Sequence, residues 1–232
     1  MPLISVIVPV YNEAKTIRQI LEKINVLNID KEIIVVDNCS SDGTRGILQD
    51  ILKGPGYNSI RVIYHSYNKG KGESVREGII EAKGDFVVIQ DADLEYDPSE
   101  FSNLLKPLQN NQADLTLGAR FTRGHSGLMA HRLGNKFLTA LLNSMFGSQL
   151  NDYATCYKMA KRQVLIDFEL KSKSFDIEVE IICKALLRKL RLKEVHVSYY
   201  PRSYNEGKKI RINDAFWAVL AMLKYRILEG KI

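Results

Sequence analysis

Four runs rich in Val and Ile punctuate the first half of the chain: residues 3–10 (LISVIVPV), 32–37 (EIIVVD), 60–65 (IRVIYH) and 85–91 (DFVVIQD). They show little polar alternation, as strands covered on both faces require. Between them lie amphipathic stretches at about 14–27, 43–52 and 73–82, the second opened by the start signal SSDGT. Parallel neighbours need a crossover, and a helix is the usual one. This β-α-β-α order therefore constrains the chain to an α/β fold around a mostly parallel sheet. A further strand is expected at 114–120 (DLTLGAR).

The pattern loosens after Arg120. Residues 121–127 (FTRGHSG) read as a loop. In 131–147, Leu133, Phe137, Leu138, Leu141, Leu142 and Met145 recur at helical spacing. Residues 175–189 read as another helix, 192–200 (LKEVHVSYY) alternate like a strand, and Asn213 is placed to cap a final amphipathic helix through about 228. The sequence shows no internal repeat, low-complexity tract or Pro/Ser-rich linker, so one domain over 1–232 is expected. A chain of this length buries most of its apolar surface without staples. Its three cysteines, Cys39, Cys156 and Cys183, form no CxxC pair. Neither a disulfide framework nor a structural zinc site is suggested, and a reducing compartment is the default.

The N-terminal run is apolar but lacks a basic flank and reaches an acid at Glu13, unlike a signal peptide. No apolar run approaches the ~18–20 residues needed to span a bilayer. A soluble or peripheral protein is expected. The net charge of +6 is concentrated late: residues 186–232 hold eleven Lys or Arg against four Asp or Glu. That bias favours anionic partners such as phosphates or lipid head groups, although a solvated basic surface would read the same way. The tyrosines near Arg202 would suit RNA, but no RNP, KH or zinc-knuckle pattern accompanies them, and nucleic acid is not expected as a partner.

Ligands of open α/β sheets bind beyond the carboxyl ends of the strands. Three of those ends carry unusual polar groups: PVYNE (9–13), VVDNCSSDGT (35–44) and QDADLEYD (90–97). The last packs Asp91, Asp93, Glu95 and Asp97 into seven residues. Like charges so close call for water or a cation. Asp91 and Asp93 would share one side of an extended chain. Such a pair can hold Mg²⁺ or Mn²⁺, with Glu95 adding a ligand directly or through water. The plainer alternative is an acidic turn into a helix start, capped by Asp97 or Ser99. Asp37 can accept hydrogen bonds from a nucleobase or ribose, or close an Asx turn, while Asp42 is placed to cap the next helix. NKGKGESVREGI (68–79) sets two glycines beside two lysines but matches neither phosphate-loop pattern, and reads as a tight connection near the crevice. SYYPRSYNEGKKIR (198–211) offers Arg202, Lys208, Lys209 and Arg211, with arginine suited to bidentate phosphate contact.

Taken together, VIVPVYNE, IIVVDNCSSDGT, NKGKGESVREG, VVIQDADLEYDP and LGARF resemble glycosyltransferase family 2, with its Rossmann-like GT-A fold. FDIEVEIICKAL and EVHVSYYPRSYNEGKKI are similar to the branch of dolichyl-phosphate mannose synthases and other polyprenyl-phosphate glycosyltransferases. The resemblance spans about residues 4–226. It implies a nucleotide-sugar half (1–120) and an acceptor half (121–232). Pro9, Tyr11, Glu13, Val35 and Asp37 would line the nucleoside pocket. Asp91, Ala92 and Asp93 would meet the diphosphate and its metal, and Arg120, Arg202 and Lys208 would hold phosphates. Glu95 stands where mannose synthases of this branch often have Gln.

The activity so implied is inverting transfer from GDP-mannose or a UDP-hexose to a polyprenyl, dolichyl-type phosphate. Asp91, Asp93 and Glu95 would surround Mg²⁺ or Mn²⁺, and Arg202 would add fixed positive charge. An ionised acceptor phosphate needs no strong base. A saccharide hydroxyl would need one, and Asp152 is then the candidate, unless it is a turn or cap residue. A noncatalytic nucleotide-binding module is the alternative of another class. A lipid acceptor also implies a peripheral place on the cytosolic face of a membrane, with the helices near 132–146 and 213–228 either packed on the sheet or lying among head groups, and a membrane-anchored protein as a further partner.

Overall fold

In the computed structural model, residues 3–120, 129–202 and 212–228 are described, which leaves Lys208 outside. β1 (Ile4–Val10) is buried throughout except at half-buried Pro9, and it occupies the interior of the sheet. On one side it pairs in parallel with β2 (Lys31–Asp37), which pairs in parallel with β3 (Ile60–Tyr64). On the other side it pairs in parallel with β4 (Phe86–Ile89). β6 (Lys158–Lys161) runs antiparallel between β4 and β5 (Leu115–Ala119), and β7 (Leu192–His196) closes the sheet parallel to β5. The order is thus β3-β2-β1-β4-β6-β5-β7, the mostly parallel α/β sheet expected. Chain order reverses between β1 and β4. That switch point opens a crevice beyond their carboxyl ends.

The crossovers are α1 (Ile17–Asn25), α2 (Thr44–Lys53) and α3 (Lys71–Glu81). Their apolar stripes bury Ile17, Ile20, Leu21, Ile24, Leu48, Ile51, Val75 and Ile79 on the sheet. Each such side chain contributes about 1.5–3 kcal/mol when removed from water. After a 3₁₀ turn at Pro98–Glu100 come α4 (Phe101–Gln109), α5 (Met129–Phe146), α6 (Arg162–Asp167), α7 (Ile177–Leu187) and α8 (Ile212–Leu228). α7 is buried through nearly its whole length, and α8 packs against both α5 and α7.

Several boundaries differ from expectation. The strand at 192–200 stops at His196, and Tyr199 instead forms an isolated antiparallel bridge with Tyr96. Asn213 lies within the first turn of α8 rather than before it. β4 ends at Ile89, so Asp91 and Asp93 sit on a turn instead of an extended chain, with Leu94 at φ 64°. Asp97 does cap the 3₁₀ turn, accepting from the Ser99 amide at 3.0 Å. The NKGKG segment is indeed a close connection. Gly70 has φ 92°, and the Gly72 amide donates to the Lys173 carbonyl at 2.9 Å, leaving no room for a Cβ at either glycine.

Candidate active site

The turn after β1 is stitched to the turn after β2. The Asn12 amide donates to Ser40 Oγ at 2.9 Å, and the Ser41 amide donates to Asn12 Oδ1 at 2.8 Å. The Glu13 amide donates to Thr44 Oγ1 at 3.0 Å, while Thr16 Oγ1 donates to Glu13 Oε2 at 3.0 Å. These bonds fix the nearly buried Glu13 carboxylate at the crevice. Asp42 accepts the Thr44 amide at 3.1 Å but stands one residue before the N-cap of α2, which is Gly43 rather than Asp42. Asp37 is fully buried and accepts from Arg45 Nε at 2.6 Å and from the Ser40 amide. Tyr11 is exposed on the same rim, whereas Val35 is fully buried, its side chain part of the core.

The acidic turn after β4 divides its carboxylates among different partners. Asp91 accepts Lys71 Nζ at 2.7 and 3.0 Å. Asp93 accepts Arg202 Nη2 at 3.1 Å and the Glu95 amide at 3.1 Å. Glu95 accepts the Arg202 amide at 2.8 Å and the Tyr199 hydroxyl at 2.9 Å. Ala92 is buried between the two aspartates. Burial, followed by the negative charges of Asp91 and Glu95, pushes the Asp93 carboxyl up to about 7 against the pull of Arg202. Burial would also raise Asp91, but the Lys71 ammonium overrides it and holds Asp91 below its ordinary value.

Arg202 ties the two strand ends together. Its Nη1 and Nη2 donate to Glu13 at 3.0 and 3.2 Å while Nη2 also reaches Asp93. Burial would lower this guanidinium, and the Glu13 bond and Asp93 charge hold it above the ordinary value. Its buried Nε–H has no acceptor among the described residues.

A second cluster lies beside the first. Asp152 is fully buried, and its oxygens accept Arg120 Nε and Nη2 at 2.7 Å each, Asn135 Nδ2 at 3.0 Å and the Arg120 amide at 3.2 Å. Burial alone would raise its carboxyl, and Arg120 more than reverses that. The Arg120 guanidinium stands 5.0 Å from the Tyr199 ring centroid. Tyr199 therefore joins the clusters, with its hydroxyl on Glu95 and its face toward Arg120. Both Tyr199 and Lys71 escaped the sequence-based selection. Lys71 was visible as a lysine between two glycines at a helix start, but its partners Asp91 and Glu178 lie far along the chain.

The residues expected to ligate a metal do not converge as one cluster. Among the described residues, no group of three His, Cys, Asp or Glu side chains is arranged to hold an ion. The reason is electrostatic: Lys71 engages Asp91, and the Arg202 amide and Tyr199 hydroxyl engage Glu95. A hard divalent ion fits in a different manner. Mg²⁺-type sites commonly use one or two carboxylates and complete the shell with substrate phosphate. Asp93, crowded by negative charge and strained toward protonation, is the carboxylate that a cation would relieve most.

Residues 5–168 match the family model described as glycosyl transferase family 2. The chain belongs to that family. The chain is 28% identical over 202 residues to "Glycosyltransferase AglJ" of Haloferax volcanii, covering 86% of the chain and 63% of the relative. It is 27% identical over 209 residues to "Undecaprenyl-phosphate 4-deoxy-4-formamido-L-arabinose transferase" of Proteus mirabilis, covering 88% and 62%. The chain thus spans less than two thirds of either curated relative. Among solved structures it superposes on glucosyl-3-phosphoglycerate synthase from Mycobacterium tuberculosis, in complex with Mn²⁺, uridine diphosphate and phosphoglyceric acid. The TM-score is 0.73 at 20% identity, over 97% of this chain and 78% of the other. That likeness establishes the GT-A fold.

Proposed function

We propose that this glycosyltransferase moves a sugar from a nucleoside-diphosphate donor, GDP-mannose or a UDP-hexose, to a polyprenyl phosphate of the dolichyl type, with inversion. One observation carries the reading. Arg202 spans Glu13 beyond the end of β1 and Asp93 beyond the end of β4, at the switch point, and its buried Nε–H finds no acceptor among the described residues. A diphosphate oxygen would satisfy that donor. An oxygen of the acceptor phosphate attacks the anomeric carbon as the bond to the diphosphate breaks, and the nucleoside diphosphate leaves with the electron pair. Arg202 supplies preorganised positive charge where the leaving group gathers negative charge. A Mg²⁺ or Mn²⁺ ion held by Asp93 would add Lewis-acid stabilisation of that leaving group. Tyr11 would receive the nucleoside, with buried Asp37 fixing Arg45 and the Ser40 turn behind it, and Arg120 with Lys208 would take the acceptor phosphate.

Asp152 supports the lipid-phosphate reading over a saccharide hydroxyl. It is fully buried, with both oxygens engaged, and so is suited to orient Arg120 rather than to take a proton from an acceptor. The name of the Proteus mirabilis relative points to the same acceptor class. Among the described residues no helix is long and apolar enough to cross a membrane. The adjoining helices α5 and α8 nevertheless leave Leu133, Phe137, Phe216, Trp217 and Ile227 more than half exposed. Such a surface suits peripheral attachment among head groups on the cytosolic face, alongside any membrane-anchored partner.

The test is incubation with Mn²⁺, undecaprenyl phosphate and a panel of GDP- and UDP-sugars, read by mass spectrometry. A glycosylated lipid phosphate is expected. Transfer only to saccharide hydroxyls, or nucleotide binding with no turnover on any acceptor, would sink the proposal.

A further inference from the structure

Behind the acidic turn lies a buried chain of alternating charge that the transfer chemistry above leaves without a role. Lys71 Nζ contacts Asp91 at 2.7 Å and Glu178 Oε1 at 2.9 Å. Lys158 Nζ contacts Glu178 Oε2 at 2.6 Å and also donates to the Thr155 carbonyl. Lys71 stands 5.8 Å from the Phe175 ring centroid. The four side chains come from four places: the turn after β4, the first residue of α3, the first turn of α7, and β6. Lys158 is 1% exposed, Glu178 11% and Lys71 13% by side chain.

Two cations and two carboxylates sum to zero, so the tetrad neutralises itself before any ligand arrives. Among the described residues on the crevice side, the carboxylates Glu13, Asp93 and Glu95 gather around Arg202, an arrangement that favours an added cation. A buried lysine is costly unless it is paired, and here both of its carboxylate partners are supplied by other elements. Gly72, two positions from Gly70 in the same segment, lets the start of α3 approach the 172–173 backbone closely enough to place Lys71 there.

We propose that Lys71 is a positioning residue for transfer: it withdraws Asp91 into the neutral tetrad with Glu178 and Lys158, so that Asp93, rather than Asp91, turns its carboxylate to the donor's cation and diphosphate. The two aspartates of the DAD sequence thereby hold different offices, one electrostatically silent and one presented to ligand. Because the inference rests on the transfer reading, it is tested first by cation binding to the protein alone.

Mn²⁺ binding is measured by electron paramagnetic resonance, without nucleotide, for wild type and for K71M, K71R, D93N and the charge-neutral double variant K71M/D91N. Wild type binds and D93N does not. K71M frees Asp91 to join the ion and tightens Mn²⁺ about tenfold, at the lower end of what outer partners of metal ligands exert. K71R restores the pairing and the wild-type affinity. K71M/D91N exchanges one neutral pair for another and should fold even where K71M does not. Its Mn²⁺ affinity matches wild type. If K71M/D91N loses Mn²⁺ as D93N does, or if folded K71M binds no tighter than wild type, the inference is overturned while the transfer reading stands. If wild type binds neither Mn²⁺ nor, with Mn²⁺ present, UDP or GDP, both fall.

Discussion

Arg202 closes a two-pronged ion pair on Glu13 across 189 residues of chain, and the same guanidinium holds Asp93. The planar fork of arginine makes this three-way contact, and lysine cannot reproduce it. R202K is therefore expected to fold, keeping its backbone bond to Glu95, yet to lose roughly 10²–10³ in kcat, the scale seen when one preorganised donor to a developing anion is removed. Steady-state kinetics with a lipid-phosphate acceptor checks this. A tenfold smaller loss would move Arg202 out of the transfer step.

Asp152 and Arg120 form a pair with little access to water, 0% and 11% exposed by side chain. Breaking a buried pair by neutralising one partner costs about 3–5 kcal/mol, because the other charge stays buried alone. D152N should lower thermal stability by that order in denaturant melts. The pH sign follows. Asp152 is held below its ordinary value, so its contribution is present above the unfolded pKa of about 3.9 and is lost as pH falls through the lower folded value. Wild type should therefore lose more stability than D152N on acidification below about pH 4.

Asp93 behaves in the opposite sense. Its folded pKa, about 7, lies above the ordinary 3.8. Its contribution is complete below the unfolded value and is lost as pH rises through the folded one. Without added metal, wild type should become less stable between about pH 4 and 7, and D93N should flatten that slope. Differential scanning calorimetry at several pH values reads it directly. Parallel slopes in the two proteins would show that Asp93 ionises as an ordinary surface carboxylate does.

The strands that matter most were legible in the sequence because burial on both faces leaves an unbroken apolar run, as in Ile33–Val36 and Phe86–Ile89. The convergence of their carboxyl ends followed from parallel topology. β6 was not legible. It is four residues long, reads KMAK, and buries Lys158 only because Glu178 arrives from α7. The helix start after Asp97 was legible, but the extent of α4 was not, because it contains Pro107, ordinarily a breaker, which the helix tolerates near its end. The partition of the DAD carboxylates was equally hidden. Residue spacing places Asp91 and Asp93 near one another, but which cation each one meets depends on Lys71 and Arg202, set by long-range packing.

The outer face of α5 and α8 gives the last expectation. Phe137 is 68% exposed, Phe216 and Trp217 61% each, and the two aromatics of α8 meet edge to face at 5.7 Å between centroids. Arg226 Nε bonds the Met145 carbonyl at 2.9 Å, holding α8 against the end of α5. Large apolar side chains in water gain nothing from the fold, so replacing them leaves stability nearly unchanged, whereas removing them from a bilayer interface forfeits about 25 cal/mol per Å² of buried area. F137A/W217A should keep the wild-type melting temperature and release the protein from anionic vesicles in flotation assays. Apparent KM for a long-chain polyprenyl phosphate in vesicles should rise, with kcat for a short, water-soluble analogue unchanged. If the double variant floats with vesicles as well as wild type, these aromatics face something other than lipid.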